Sequence, residues 1–85
     1  MKLVSFDADG KARVGVLVRD GTFVVDVQAA EVAINRRPYK PFRTMQSLKD
    51  DGVTGMSRLR DIVAKVEAGQ VPDALMPVDG VHLIE

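Results

Sequence analysis

The stretch FDADGKARVGVLVRDGTFVVDV, residues 6–27, decides the fold, because the rest of the chain must pack on whatever it forms. Residues 2–6 and 11–19 are rich in strand-forming side chains and are separated by Asp7, Ala8, Asp9 and Gly10, which reads as strand, tight turn, strand. A second turn at Arg19, Asp20 and Gly21 leads into a third strand over residues 22–27. The result is an antiparallel meander. Val14, Val16 and Val18 fall on one face of the second strand, and Phe23, Val25 and Val27 on one face of the third. Arg13, Gly15, Arg19, Thr22 and Asp26 fall on the opposite face, so one side of the sheet is expected to be core and the other wetter.

Near the end of this stretch Asp26 is placed to cap a short helix from Val27 to about Asn35, with Ala30, Ala33 and Ile34 inward and Pro38 forbidding continuation. Residues 36–43 read as a loop. Ser47 and Asp50 have capping-box spacing, and Gly52 allows only a turn or two before the chain bends. The clearest helix runs from Thr54 or Gly55 to Ala68. There Met56, Leu59, Ile62, Val63 and Val66 recur every three or four residues, and Gly69 and Pro72 supply the stop. The tail, residues 74–84, reads as one or two short closing strands around Asp79 and Gly80. The fold class is therefore α+β: a small antiparallel sheet, an N-terminal three-stranded meander plus short C-terminal strands, packed with two or three short helices.

An 85-residue chain forms one domain at most and buries only about 60–65% of the surface of its unfolded form. With 46% hydrophobic and 28% charged residues, it has the composition of a chain that folds. The absence of cysteine excludes disulfides, thiolate metal sites and a cysteine nucleophile, and fits a reducing compartment, so the cytoplasm is expected. No apolar run exceeds five residues, against the roughly 20 of a spanning helix, and the N-terminal run breaks at Ser5 and Asp7 before it could serve as a signal peptide. Twelve basic and twelve acidic residues leave no net field to attract nucleic acid or anionic lipid.

Asp7 and Asp9 could open a calcium loop, but Lys11, Ala12 and Val18 stand where an EF-hand needs an oxygen ligand, a glycine and a bidentate acid. The turn reading explains Asp9 and Gly10 better, since both suit positive φ in a hairpin. INRRPYKPFR carries Arg36, Arg37, Lys40 and Arg43 without an acid and interleaves Tyr39 and Phe42, the pattern of a single-strand nucleic-acid binder. A solvated loop or a protein contact is favoured over that reading by the neutral total charge. His82 stands alone among apolar residues, Ser5, Ser47 and Ser57 lie in no nucleophile motif, and adjacent Asp50 and Asp51 point to different sides of a helix. The residues by themselves contain no recognisable catalytic or metal site.

The opening MKLVSF, the spacing ARVGVLVRDGTFVVDV, the amphipathic GMSRLRDIVAKVEAG and the ending VHLIE together resemble the N-terminal domain of bacterial fumarylacetoacetate hydrolase family proteins. Arg13, Gly15 and Val16 match an R-x-G-V on the second strand, and Gly21, Val24, Val25 and Asp26 the turn and V-V-D of the third. The resemblance implies that residues 1–85 are a single N-terminal accessory domain whose parent hydrolyses, decarboxylates or isomerises small diketo or keto acids. It implies Mg2+ or Mn2+ in the parent, held by a Glu-x-Glu pair in a C-terminal catalytic domain. No Glu-x-Glu occurs among Glu31, Glu67 and Glu85, so no catalytic residue, cofactor or metal ligand carries over and the chain alone is expected to be inactive. Its partner would be that catalytic domain, with self-association through the docking face as a further expectation. Arg13, Arg36, Arg37, Tyr39 and Phe42 are the candidate contact positions. The rival is a free-standing protein-interaction module using the basic loop 36–43, and a complete small enzyme comes third.

Overall fold

Across the first hairpin Ala8 faces Lys11, so Asp9 and Gly10 alone make the turn, with φ of 54° and 83°. Two positive φ values in a two-residue loop are the type I′ geometry, whose twist matches that of the flanking strands. The computed structural model describes residues 2–84. Strand β1 is Lys2–Ala8, β2 is Lys11–Val18 and β3 is Phe23–Asp26. The second turn is longer than the first: Val18 pairs with Phe23, and Arg19, Asp20 and Gly21 all have positive φ. Arg19 and Thr22 therefore belong to the turn, not to strands.

Helix α1 is Val27–Asn35, entered directly from β3, and Val27 is its first residue rather than the last of a strand. Helices α2, Met45–Asp50, and α3, Gly52–Glu67, come after a single 3-10 turn at Lys40–Phe42. The α2 cap is Thr44, not Ser47: the Thr44 hydroxyl accepts from the Ser47 backbone N–H at 3.0 Å, and the Thr44 N–H donates back to Ser47 Oγ at 3.1 Å. Ser47 thus plays the part that Glu or Gln takes in the usual capping box. Gly52, at φ 62°, turns the chain between the two helices and starts α3 two or three residues earlier than the start at Thr54 or Gly55 read from the sequence. At the far end Gly69 donates to Val66 and Gln70 to Lys65, a Schellman closure. No helix among the described residues is long and apolar enough to cross a membrane.

Strand β4, Leu75–Pro77, pairs with β3, and β5, His82–Leu83, pairs with β1. The antiparallel sheet then has the order β4-β3-β2-β1-β5, with the last two strands on opposite edges. In a flat sheet those edges would lie about 19 Å apart, at about 4.8 Å per strand. The link from Pro77 to His82 could span at most about 17 Å if fully extended, and Val78–Gly80 are coiled in a 3-10 turn. The sheet must curl. Hydrogen bonds from Val78 N–H to Thr22 O (2.9 Å) and from Ile84 N–H to Ser5 O (2.8 Å) pin the two ends of the link.

The curl changes the burial of both faces. The helix-covered face holds the main core, with Val14, Val16, Val18 and Val25 against Phe42, Leu48, Leu59, Ile62 and Val66. The opposite face is not the wet side expected from its Arg13, Gly15 and Asp26. Val4, Phe6 and Val24 form a second core there, covered by Met76, Val78, Val81 and Leu83 of the tail. Gly15 lies between these side chains: a Cβ at this position would stand 2.8 Å from Val24 Cγ1 and 3.0 Å from Phe6 Cδ1. Both neighbours are buried and Val24 is stiff at χ1, so neither can yield without cost. Gly15→Ala is expected to lower stability by about 1–2 kcal/mol through overpacking, read as a lower urea midpoint. A stabilising outcome would mean that the second core is loosely packed.

Candidate functional site

Arg13 of β2 and Asp26 of β3 meet across adjacent strands, and Gly15 is the register partner of Asp26. One Asp26 oxygen, Oδ1, accepts from the Arg13 guanidinium at 3.0 Å and from the Ala29 backbone N–H at 3.2 Å. The same carboxylate therefore caps α1, as its position in the sequence implies, and holds the arginine. The buried Arg13 Nε has no hydrogen-bond partner among the described residues. Asp26→Ala should cost about 2 kcal/mol, combining the lost cap with an unpaired arginine. Asp26→Asn keeps the cap and should cost about 1 kcal/mol or less. Equal losses by thermal unfolding would show that the cap contributes nothing.

A second polar cluster joins α1, the loop after it and α3. The Glu31 side chain is fully buried, and its carboxylate accepts from Arg58 Nε at 3.2 Å, from Arg58 Nη2 at 2.7 Å and from Asn35 Nδ2 at 2.7 Å. The Arg58 guanidinium lies 4.3 Å from the centre of the Tyr39 ring, a cation–π contact. Tyr39 donates its hydroxyl proton to Asp51 Oδ2 at 2.5 Å. Gln28 clamps the Tyr39 backbone from the other side, donating to its carbonyl at 3.1 Å and accepting from its N–H at 3.0 Å. Gly55 makes the arrangement possible, since a Cβ there would stand 2.9 Å from Asp51 Oδ2.

Two groups of this cluster hold their protons more tightly than usual, although the Arg58 charge opposes the shift at Tyr39 and burial opposes it at Arg58. The hydrogen bond to Asp51 raises the Tyr39 pKa above its ordinary 10.0, with burial and the Asp51 charge adding to the effect. Hydrogen bonding to Glu31 likewise raises that of Arg58. For tyrosine, a raised folded-state pKa means that the folded chain holds its proton longer than the unfolded one, so the linked stability is complete below pH 10. It is lost as the pH rises from about 10 through the folded-state value. Tyr39→Phe should remove this alkaline loss and cost about 1 kcal/mol at neutral pH; an unchanged slope of stability above pH 10 would assign it to another group.

The five sequence-derived contact positions do not form one surface. Arg36 and Arg37 are exposed, Tyr39 and Arg13 are half-buried and engaged as described, and Phe42 is only 1% exposed. Phe42 packs in the main core with the Tyr39 ring edge-on to it, centroids 4.8 Å apart at 73°, so its ring is not presented to a partner. The aromatic pair is therefore turned inward, unlike a base-stacking platform. Arg36, at φ 70°, closes α1 with its N–H on Val32 O. Arg36, Arg37, Lys40 and Arg43 are all exposed, and none forms an ion pair among the described residues. His82 is exposed on β5, and no group of three His, Cys, Asp or Glu side chains among the described residues could hold a metal ion.

Glu31, Arg58, Asp51 and Gln28 are absent from the candidates read from the sequence. A signal exists for Glu31: it stands on the same helical stripe as Val27, Ala30 and Ile34, the one acid on a face of apolar residues, while Ala33, read as inward, is exposed. Its partner 27 positions away leaves no such mark. A scan against protein-family models finds none that matches this chain, and a search of curated proteins finds no match either.

Proposed function

We propose that the chain is the non-catalytic N-terminal domain of a fumarylacetoacetate hydrolase family enzyme, supporting a separate catalytic domain. The observation that carries this reading is the union of the two short motifs behind the resemblance. Arg13 of R-x-G-V bonds Asp26 of V-V-D, Gly15 is paired with Asp26, and the missing Cβ of Gly15 makes room for Val24. Side chains that are separately ordinary become one unit, which gives a physical reason for their order and spacing.

In this reading the domain offers a stiff body with two small cores and carries no chemistry of its own. Hydrolysis, decarboxylation or isomerisation of a keto acid, with Mg2+ or Mn2+ to polarise its oxygens, belongs to the catalytic domain of the parent, in the cytoplasm. The test is to read the coding frame past Glu85. Continuation into a larger domain with Glu-x-Glu and neighbouring acids is the expected result; a stop codon or an unrelated domain overturns the proposal. The purified 85 residues with magnesium and an acylpyruvate should show no turnover, and turnover would make the chain a complete small enzyme. The unpaired Arg36, Arg37 and Lys40 favour the second reading, a free-standing protein-interaction module, should the frame stop.

A further inference from the structure

A cleft of about 370 Å³ opens between the β1–β2 hairpin and the segment leading into α2, lined by Lys11, Arg13, Gln28, Phe42, Arg43 and Thr44 together with Ala8 and Ala12. Its lining contains three cations and no carboxylate. The neutral polar groups are already committed: the Gln28 amide holds the Tyr39 backbone at both its ends, and the Thr44 hydroxyl and N–H close the α2 capping box. Two of the three cations are not. Lys11 and Arg43 form no ion pair among the described residues, and Arg13 has one contact, to an Asp26 oxygen shared with the α1 N-terminus. Donors left without partners in a concave site are therefore almost all positively charged, and the matching ligand is an anion.

We infer that this cleft binds a small free anion, a carboxylate or phosphate of organic-acid size, with Arg43 and Lys11 closing on it from two sides and Arg13 held at the rear by Asp26. Lys11 and Arg13 come from β2, and Arg43 succeeds the 3-10 turn that Phe42 anchors in the core, so the loop that brings Arg43 to the same cleft is fixed from within. The inference stands whether or not the chain belongs to a larger enzyme. The remaining loop cations, Arg36, Arg37 and Lys40, do not line the cleft and serve as its internal control.

The test is an amide chemical-shift titration of the 85-residue chain with inorganic phosphate and, separately, with pyruvate, at constant ionic strength balanced by chloride. Saturable shifts confined to Lys11, Arg13, Arg43 and Thr44 are expected. Arg43→Gln and Lys11→Gln should each weaken binding about fivefold to tenfold, the scale of one solvent-screened charged contact, while Arg37→Gln should leave it unchanged. All these replacements are at exposed positions, and an undisturbed remainder of each spectrum certifies folding. Shifts that grow linearly and spread over residues 36–40, or that chloride reproduces, overturn the inference. So does binding of a single-stranded oligonucleotide that Arg37→Gln abolishes and Arg43→Gln does not, which would assign the positive surface to nucleic acid.

Discussion

Replacing Arg58 with methionine is expected to lower folding stability by about 3 kcal/mol, at the low end of the loss for breaking a buried ion pair. The Glu31 side chain has no exposed surface, and two of its three hydrogen bonds come from Arg58. Without the guanidinium, Asn35 alone faces a carboxylate out of contact with bulk water. Arg58 itself is 40% exposed along its side chain, so some water can enter where it stood, which keeps the loss below the upper range. The whole chain should hold roughly 4–13 kcal/mol of stability, at about 0.05–0.15 per residue, so this pair is a large part of it. Urea unfolding followed by circular dichroism gives the number. The double replacement Glu31→Met with Arg58→Met removes the stranded charge and should return to within about 1 kcal/mol of the parent chain. A single-variant loss below about 1 kcal/mol, well under the range for a broken buried pair, would mean that α1 and α3 are held together by apolar contacts alone.

The features legible in the sequence are those whose causes are local. Asp9 with Gly10, Asp26 before an apolar run, and the stripe through Leu59, Ile62, Val63 and Val66 each depend on neighbours within a few residues, and the structure has the corresponding turn, cap and helix. The second core depends on β5 reaching β1 across nearly the whole chain, and nothing in the period-two pattern of β2 announces that the tail will cover its Gly15 face. The α2 cap differs from its expected place because Ser47 and Asp50 mimic a spacing that Thr44 and Ser47 actually use, with a serine in the reciprocal role. At the candidate site the charges of loop 36–43 are visible in the sequence. Which of them share a cleft with Lys11 is not, because that depends on how the loop is anchored.

That anchor is Phe42, and Phe42→Ala is expected to cost about 3–5 kcal/mol, the usual range for emptying a buried aromatic site. The ring is 1% exposed in the main core, and the edge of Tyr39 adds an aromatic contact of about 0.5–1.5 kcal/mol beyond area burial. Neighbouring Lys40, Pro41 and Arg43 disguise it in the sequence, since an aromatic interleaved among charges reads as a surface residue. Pro41 sets up the 3-10 turn that swings the ring inward while Lys40 and Arg43 stay outside. A surface contact residue and a core residue predict opposite results: the first leaves the urea midpoint in place and removes partner binding, whereas the second lowers the midpoint with no partner present. Phe42→Leu fills most of the same space and should cost about 1–1.5 kcal/mol, leaving the chain folded enough to ask whether Arg43 still lines its cleft. If Phe42→Ala falls within about 1 kcal/mol of the parent chain, below the range for such truncations, the ring is not the anchor and the loop cations are free to move. Should the full loss appear and Phe42→Leu retain anion-dependent shifts at Lys11 and Arg43, the core beneath the loop and the charge above it are one construction.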